Sequence, residues 1–157
     1  MTSIVYRKGD ATAPVASGAK IICHVCNDIG GWGKGFVVAI SQRWPEPEAQ
    51  YRAWHKQGKS AGFRLGAIQL VNVEPTLAVA NMVAQRGIRP SGGAPPIRYD
   101  ALRQCLDALA ERALAMAASV HMPRIGCGLA GGSWDEIEAL ITATLVAAAV
   151  PVQVYDF

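Results

Sequence analysis

The amino-acid sequence predicts an α/β protein in which helices cover both faces of a mixed, mostly parallel sheet of about six strands. Short apolar runs rich in β-branched residues alternate along the chain with longer segments of helical periodicity. Two glycine-rich loops each follow an apolar run and precede a helical pattern, which is the arrangement of βα units. The 157 residues are 51% hydrophobic and 17% charged, a composition that predicts one densely packed domain over residues 1–157.

Charge, hydropathy and cysteine content argue against several functional classes. The formal net charge of +3 is too small to indicate a nucleic-acid-binding surface, and no apolar run is long enough to cross a membrane. No signal peptide is visible, so we expect a cytoplasmic protein. Cys23 and Cys26 have C-x-x-C spacing within an apolar run, which favours buried packing residues over a zinc or redox site. We expect neither a metal nor a cofactor.

The first half of the chain predicts two strands and two helices. Residues 3–7 alternate between apolar and polar types, as a strand does. Residues 20–25 form a β-branched run that is expected of a buried strand. Residues 36–43 have helical character and end before a proline, and a second proline at the start of 47–56 favours another helix there.

The second half of the chain predicts four strands and two helices. Residues 77–83 are almost entirely apolar, which places that strand inside the sheet. The last helix is rich in alanine, so we expect it to be well buried. The predicted strands are 66–73, 77–83, 119–125 and 152–155, and the predicted helices are 95–118 and 133–148.

A long connection follows the strand at 77–83. Residues 85–93 read Q-R-G-I-R-P-S-G-G, a glycine-rich and basic segment that is long for a simple connector. We interpret it as a flap over a binding site. Arg86 and Arg89 either contact phosphate there or belong to a solvated basic loop.

The first glycine-rich loop lies within I-I-C-H-V-C-N-D-I-G-G-W-G-K-G-F, residues 21–36. Free backbone N–H groups at the start of a helix, approached through glycines, favour an anion. The spacing of Gly30, Gly31, Gly33 and Gly35 matches neither G-x-G-x-x-G nor the Walker loop. Taken alone, the cluster is also compatible with a tight turn.

A second loop, residues 122–134, reads M-P-R-I-G-C-G-L-A-G-G-S-W and precedes a helix for which Ser133 is a plausible N-cap. Two such loops at the carboxyl ends of neighbouring strands would hold a diphosphate from both sides. We expect φ > 0 at Gly33 and Gly128, where the backbone would contact phosphate.

Three segments together resemble the macro domain family. They are K-G-D at residues 8–10, H-V-C-N-D-I-G-G-W-G-K-G-F-V-V-A-I at 24–40, and M-P-R-I-G-C-G-L at 122–129. The sequence is similar to the branch that contains the terminal ADP-ribose glycohydrolase and the fungal ADP-ribose 1″-phosphate phosphatase. The resemblance covers essentially the whole chain and implies a three-layer α/β/α macro-domain sandwich that binds ADP-ribose.

The resemblance assigns ligand contacts to individual residues. It implies that Asp10, beside Ala11, accepts the adenine amino group and that Asn27 faces the distal ribose. The first loop would surround the distal ribose and diphosphate, with Trp32 a candidate to cover that ribose, and the second would add another row of backbone N–H groups. The implied loop residues are Gly31, Trp32, Gly33, Lys34, Gly35 and Phe36, and then Gly126, Cys127, Gly128, Leu129, Ala130 and Gly131.

The sequence departs from that branch at its catalytic positions. The glycohydrolases carry an acid after G-C-G-L, where this chain has Ala130, and a lysine at the end of the fourth strand, where residues 83–85 read V-A-Q. The candidate catalytic residues are therefore His24 and Asp28. His24 matches a histidine of the phosphatases, but it is also compatible with a hydrogen-bonded core histidine. Asp28 either orients a water near the distal ribose or caps the loop.

The expected function is recognition of ADP-ribose, or of a derivative substituted on the distal ribose, with hydrolysis that removes an ADP-ribosyl group or a 1″-phosphate. The alternative is a reader module that binds ADP-ribose without turnover. No lysine follows Lys59, so a hydrolase would use water rather than a lysine adduct. The expected partners are ADP-ribose and ADP-ribosylated protein or nucleic acid, without a membrane.

Overall fold

A computed structural model describes residues 3–157. It contains six strands and four helices within that range. The strands are β1 (Ile4–Lys8), β2 (Lys20–Asn27), β3 (Ile68–Glu74), β4 (Leu77–Gln85), β5 (Ser119–Met122) and β6 (Val152–Asp156). The helices are α1 (Phe36–Arg43), α2 (Glu46–Gln57), α3 (Tyr99–Met116) and α4 (Trp134–Ile141); a 3₁₀ turn at Gly58–Ala61 follows α2, and a π-helical turn at Thr142–Val146 continues α4.

The strands form one sheet in the order β1-β6-β5-β2-β4-β3. Every neighbouring pair is parallel except β3 and β4, which form an antiparallel hairpin. Parallel neighbours need a crossover connection, whereas a hairpin needs only a short turn; Glu74 and Leu77 are separated by only two residues. The prediction of a mixed, mostly parallel sheet of about six strands is confirmed.

A separate apolar core lies on each face of the sheet, which gives the predicted three layers. Leu102 and Leu106 of α3 and Ile137 of α4 pack in one core, and Ile40 of α1 and Tyr51 of α2 pack in the other. Successive residues of a strand point to opposite faces, so a strand that is apolar throughout contributes side chains to both cores.

The two cysteines with C-x-x-C spacing belong to different cores. Cys23 packs against the α3 and α4 side and Cys26 against the α1 and α2 side. Residues three apart in a strand point to opposite faces. Burial raises the pKa of both thiols above their ordinary value, so these cysteines act as packing residues.

Several element boundaries differ from the predicted ones because of tertiary contacts. β2 and β4 are each two residues longer than predicted, and their ends pair through Asn27 and Gln85. The third helix starts at Tyr99 rather than at residue 95. The segment before it is extended, since Ile97 donates to Ala130 O and Pro96 O accepts from Arg86 N.

The topology places the functional loops at one edge of the sheet. Strands β2, β4, β5 and β6 all run in the same direction, so their carboxyl ends lie at the same edge of the sheet. β2 leads into the first glycine-rich loop, β4 into the flap and β5 into the second glycine-rich loop. Ligands of open α/β sheets bind at this edge. Within residues 3–157 no helix is both long and apolar enough to span a membrane.

Candidate functional site

The side chain of Asn27 shapes the first glycine-rich loop. Its Oδ1 accepts hydrogen bonds from Ile29 N (3.0 Å) and Gly31 N (2.9 Å), and its Nδ2 donates to Gly31 O (3.0 Å). The Tyr51 hydroxyl donates to Asn27 O at 2.7 Å and lies 2.8 Å from Oδ1. Asn27 therefore holds the loop by local side-chain-to-backbone bonds. Arg52 supports it further by donating to Gly30 O at 2.9 Å.

The second glycine-rich loop is closed by its own backbone. Gly132 N donates to Gly126 O at 2.8 Å, and Gly131 N donates to Gly128 O at 3.1 Å. Gly126 has φ 73°, and a Cβ atom there would lie 2.8 Å from Ile137 Cδ1. Only glycine fits both that backbone conformation and that space. The loop is consequently fixed against the start of α4.

Two adjoining cavities lie between these loops. The first cavity has a volume of about 260 Å³ and contacts mainly the second loop. The second cavity has a volume of about 510 Å³ and contacts mainly the first loop and the flap. They share five lining residues, so together they form one cleft. The shared residues are Val25, Lys34, Val37, Gln85 and Leu129.

Both loops present backbone N–H groups that are free to bind a ligand. Within residues 3–157, the N–H groups of residues 33–36 and 126–130 donate to no protein acceptor. Helix α1 begins after Gly35 without a side-chain cap. Unpaired N–H groups at a helix start carry partial positive charge and bind anions. The cleft is therefore suited to an anionic group held from two sides, as the spacing of the two loops predicts.

Most of the residues that the resemblance implies line this cleft. Five others do not line either cavity. Those lining the first cavity are His24, Lys34, Gly35, Phe36, Gly126, Gly128, Leu129 and Ala130. Those lining the second cavity are Asn27, Gly31, Trp32, Gly33, Lys34 and Leu129. Those outside both are Asp10, Ala11, Asp28, Cys127 and Gly131.

The expectation of positive φ at Gly33 and Gly128 is wrong. Positive values occur instead at neighbouring glycines, among them Gly35 (φ 85°) and Gly131 (φ 75°). A Cβ atom at Gly33 or Gly128 would meet no atom within 4 Å. The left-handed positions are set by the path of each loop, which the glycine spacing alone does not reveal.

His24 is a neutral hydrogen-bond donor at the wall of the first cavity. The side chain of Asn81 donates through Nδ2 to Gln69 Oε1 (3.0 Å) and Pro47 O (3.2 Å). Its Oδ1 must therefore accept, at 2.6 Å, from His24 Nε2. His24 Nδ1 consequently carries a lone pair, and its recorded contact is with Cys26 Sγ at 4.0 Å. A thiol is a weak donor, so this contact binds Nδ1 only weakly.

The protonation of two buried histidines predicts how stability depends on pH. Burial lowers the pKa of His24 to about 4. Burial, together with the positive charges of Lys20 and Arg7, also lowers the pKa of His121 to about 4. In the unfolded chain the two histidines bind protons near pH 6.5. The stability that comes from keeping them neutral in the folded protein is therefore fully present above pH 6.5 and is lost as the pH falls towards 4. We expect the free energy of unfolding to drop by on the order of 3 kcal/mol per histidine.

Urea unfolding at pH 7.5, 5.5 and 4.5 measures this loss. His24→Gln should show a shallower pH dependence than the parent protein, because one of the two groups is removed. An equal free energy of unfolding at all three pH values would contradict the burial of neutral histidines.

Asp28 connects the first loop to the flap. Its Oδ1 accepts a hydrogen bond from Gly87 N at 2.8 Å. The carboxylate lines a separate cavity of about 430 Å³, the flap cavity, together with residues 86–91. Of the two roles left open by the sequence, this contact favours capping: the carboxylate caps the flap rather than the loop in which it lies.

Asp10 is held at the end of β1 as an ionised acceptor. Its Oδ1 accepts from Thr12 N (2.8 Å) and Thr12 Oγ1 (2.7 Å). These bonds, with Arg43 nearby, hold the pKa of Asp10 below its ordinary value. Arg43, the last residue of α1, also donates to Thr12 Oγ1 at 2.7 Å. The Asp10 turn is thus tied to the helix that starts at the first loop.

Sequence reasoning missed two polar residues of the cleft. Gln85 ends β4 and lines both cavities; its place after a buried strand was the available signal. Arg124 lines the first cavity and is held by Asp156 at 2.7 Å and 3.0 Å. Its guanidinium carbon also lies about 5 Å from the ring centres of Tyr6 and Trp134, contacts between distant segments that no local pattern indicates.

Solved structures of the same architecture include two with high sequence identity. A macrodomain protein from Streptomyces coelicolor is 53% identical, with a TM-score of 0.89 over 99% of each chain. A protein of unknown function from Bacteroides thetaiotaomicron is 57% identical, with a TM-score of 0.95 over 99% of each chain. Thermosipho africanus DarTG, solved in complex with ADP-ribose, shares the fold at 18% identity, with a TM-score of 0.78 over 99% of this chain and 42% of that chain.

Curated relatives include both long and short proteins. No protein-family model matches the chain. The mouse chromodomain-helicase-DNA-binding protein 1-like is 32% identical over 165 residues, which cover 99% of this chain and 18% of that protein. The chain thus spans less than a fifth of this relative, and less than a fifth of its zebrafish counterpart. An ADP-ribose 1″-phosphate phosphatase from Lodderomyces elongisporus is 24% identical, covering 88% of this chain and 91% of that protein.

Proposed function

The chain belongs to the macrodomain family, and we propose that it binds ADP-ribose, or a derivative substituted on the distal ribose, in the cleft between its two glycine-rich loops. The observation that carries the proposal is the pair of unbonded N–H rows at residues 33–36 and 126–130. A diphosphate accepts hydrogen bonds from both rows at once and gains charge-assisted strength from each. The relative solved with ADP-ribose supports this ligand class.

The resemblance implies the position of the adenine, and the two cavities suggest that of the rest of the ligand. The ionised carboxylate of Asp10, which lies outside both cavities, accepts from the adenine amino group, and the diphosphate lies between the loops. The distal ribose occupies the second cavity beside Asn27, Trp32 and Gly33. Trp32 is fixed there by donating to Ser41 Oγ at 2.8 Å. A rigid aromatic wall of this kind restricts the position of a bound sugar.

We further propose that the protein hydrolyses the substituent on the distal ribose, using a bound water. The observation that favours turnover is the position of His24, whose ring lines the first cavity and packs edge-on, at 5.2 Å between ring centroids, against Trp32 of the second cavity. Its Nδ1 has only the weak contact with Cys26 Sγ at 4.0 Å, which a bound water would replace. With a pKa of about 4, His24 orients a water rather than protonating a leaving group. Lys34 is the single lysine among the lining residues of the two cavities, and it lies within residues 33–36, the segment that would present backbone N–H groups to phosphate.

Calorimetric titration with ADP-ribose tests the binding proposal. Turnover is tested by incubating the protein with ADP-ribose 1″-phosphate, ADP-ribosylated protein and ADP-ribosylated nucleic acid and following product release. Release of phosphate or ADP-ribose supports a hydrolase, and tight binding without release supports the reader alternative. A borohydride-trapped adduct at Lys34 would exclude the water mechanism, and absence of ADP-ribose binding would refute the proposal as a whole.

Asp10→Ala is expected to weaken ADP-ribose binding by about 1–3 kcal/mol, the cost of leaving the buried adenine N–H donor without its acceptor. The measurement is the same titration, with thermal unfolding of the unliganded variant as the control. That control is needed because Asp10 also accepts both Thr12 bonds. Equal affinities of variant and parent would remove Asp10 from the site.

A further inference from the structure

We propose that the flap cavity is a second subsite, which receives the acidic polypeptide segment that carries the ADP-ribosyl group. This inference rests on the proposed function, since it requires ADP-ribose in the cleft. It adds a partner of defined chemistry to a surface that no ADP-ribose contact explains. The flap cavity has a volume of about 430 Å³ and is lined by Asp28, Ile29, Arg86, Gly87, Ile88, Arg89, Pro90 and Ser91.

Backbone hydrogen bonds close the flap at its base and at its tip. At its base, Arg86 N donates to Pro96 O at 2.8 Å, and Gln85 and Ile97 form an antiparallel bridge. At its tip, Ser91 and Ala94 exchange two backbone hydrogen bonds of 3.0 Å each. The two glycines between them have φ values of 58° and 78°, as tight hairpin turns require. With the bond from Gly87 N to Asp28 Oδ1 between base and tip, these contacts hold the flap at three places.

The flap cavity adjoins the place proposed for the distal ribose. Ile88 and Arg89 line both the flap cavity and the second cavity. A group attached to the distal ribose therefore leaves the cleft beside these two residues. The chain that carries the ADP-ribosyl group would meet the flap cavity first.

Exposed aliphatic side chains surround this exit. Ile29 is 52% exposed, Ile88 is 54% exposed and Leu129 is 65% exposed. They come from the first loop, the flap and the second loop, so distant segments contribute to one apolar rim. Isolated exposed apolar residues are ordinary, whereas a cluster around a cavity marks a contact surface.

The charge of the flap cavity favours an acidic partner. Arg86 and Arg89 form no ion pair with any residue in the range 3–157. Asp28 is the single carboxylate among the lining residues, and its Oδ1 is already bonded to Gly87 N. The two arginines outnumber the one carboxylate, so the flap cavity attracts negatively charged groups and increases the rate at which an acidic partner encounters it.

The chemistry of the lining favours polypeptide over nucleic acid. Sites for single-stranded nucleic acid combine cations with aromatic rings on which bases stack. Among the residues that the structure describes, no aromatic one lines the flap cavity; its apolar surface is supplied by Ile29, Ile88 and Pro90. Aliphatic surface next to arginines matches a peptide with alternating apolar and acidic side chains.

The test compares ligands that differ only outside the ADP-ribose. The probes are free ADP-ribose and three conjugates joined to the distal ribose through a non-hydrolysable linkage: a peptide with acidic flanks, a peptide with neutral flanks and an oligonucleotide. We expect the parent protein to bind the acidic peptide about tenfold more tightly than the neutral one. Arg86→Glu should abolish this preference and leave the affinity for free ADP-ribose within about twofold, since Arg86 lies outside both cleft cavities.

Two further variants complete the design. Ile29→Ser should weaken both peptides equally without affecting free ADP-ribose. Arg103→Glu, a change of equal charge at an exposed position of α3, should leave the preference intact. Equal binding of the two peptides by the parent, loss of the preference in Arg103→Glu, or tighter binding of the oligonucleotide would overturn the inference. Failure of the parent to bind free ADP-ribose would instead refute the proposed function, and the subsite with it.

Discussion

Gly128→Val is expected to lower the affinity for ADP-ribose by about 100-fold or more while leaving the fold intact. The backbone at Gly128 is not left-handed, and its Cβ position is open in the unliganded protein. The added side chain therefore costs the fold little, but in the proposed binding mode it would occupy the space through which phosphate reaches the N–H row of residues 126–130. Losing one or two charge-assisted hydrogen bonds of about 1.5–3 kcal/mol each accounts for the effect.

Gly33→Val should act in the same way on the opposite side of the cleft. Its Cβ position is also open and its φ is not positive. Gly18→Ala is the matched control, because it introduces strain at φ 78° outside both cavities and should lower stability without affecting the ligand. Calorimetry and thermal unfolding of the three variants separate the two effects. Unchanged ADP-ribose affinity in both valine variants would show that the diphosphate lies elsewhere.

Asp28→Ala is expected to slow hydrolysis of a conjugated substrate by about 100-fold, the order expected when a positioning contact near the reacting group is lost. The cause is the loss of the 2.8 Å bond to Gly87 N, which holds the flap residues of the second cavity in place. Affinity for free ADP-ribose should change little, because Asp28 does not line the cleft.

Asp28→Asn distinguishes positioning from chemistry at this residue. An asparagine oxygen still accepts from Gly87 N but cannot serve as a base, so we expect turnover within a few-fold of the parent. Hydrogen exchange of the Gly87 amide should be fast in Asp28→Ala and slow in Asp28→Asn. If Asp28→Asn lost as much turnover as Asp28→Ala with a protected Gly87 amide, the carboxylate would take part in the reaction itself.

The order of elements was predictable because it depends on local patterns. Helix α1 begins and ends at the predicted residues, Phe36 and Arg43, where a glycine precedes it and a proline follows closely. The helix at 133–148 was less predictable. It is α-helical to Ile141 and then widens into a π-helical turn, in which Thr144 Oγ1 donates to Leu140 O at 2.7 Å. Side-chain bonds of this kind bend helices, and sequence periodicity does not register them.

The placement of the candidate site was predictable for similar reasons, and its details were not. Two glycine-rich loops after neighbouring parallel strands must meet at one edge of the sheet, and β2 and β5 are indeed neighbours. The glycines with positive φ in the two loops are Gly30, Gly35, Gly126 and Gly131. Their positions follow from how each loop is bonded and packed, as by Asn27 Oδ1 with Gly31 N. Glycine spacing does not reveal those bonds, so the expectation for Gly33 and Gly128 failed.

From the sequence alone, the α/β class, the two glycine-rich loops and the macrodomain resemblance could be predicted, because periodicity, glycine spacing and motif order are properties of consecutive residues. How the candidate catalytic side chains are held could be seen only in the folded protein. Asp28 bonds a residue 59 positions away in the chain, and His24 takes its tautomer from Asn81, 57 positions away. Protonation state and orientation follow from burial and from hydrogen-bond partners, and folding alone brings those partners together.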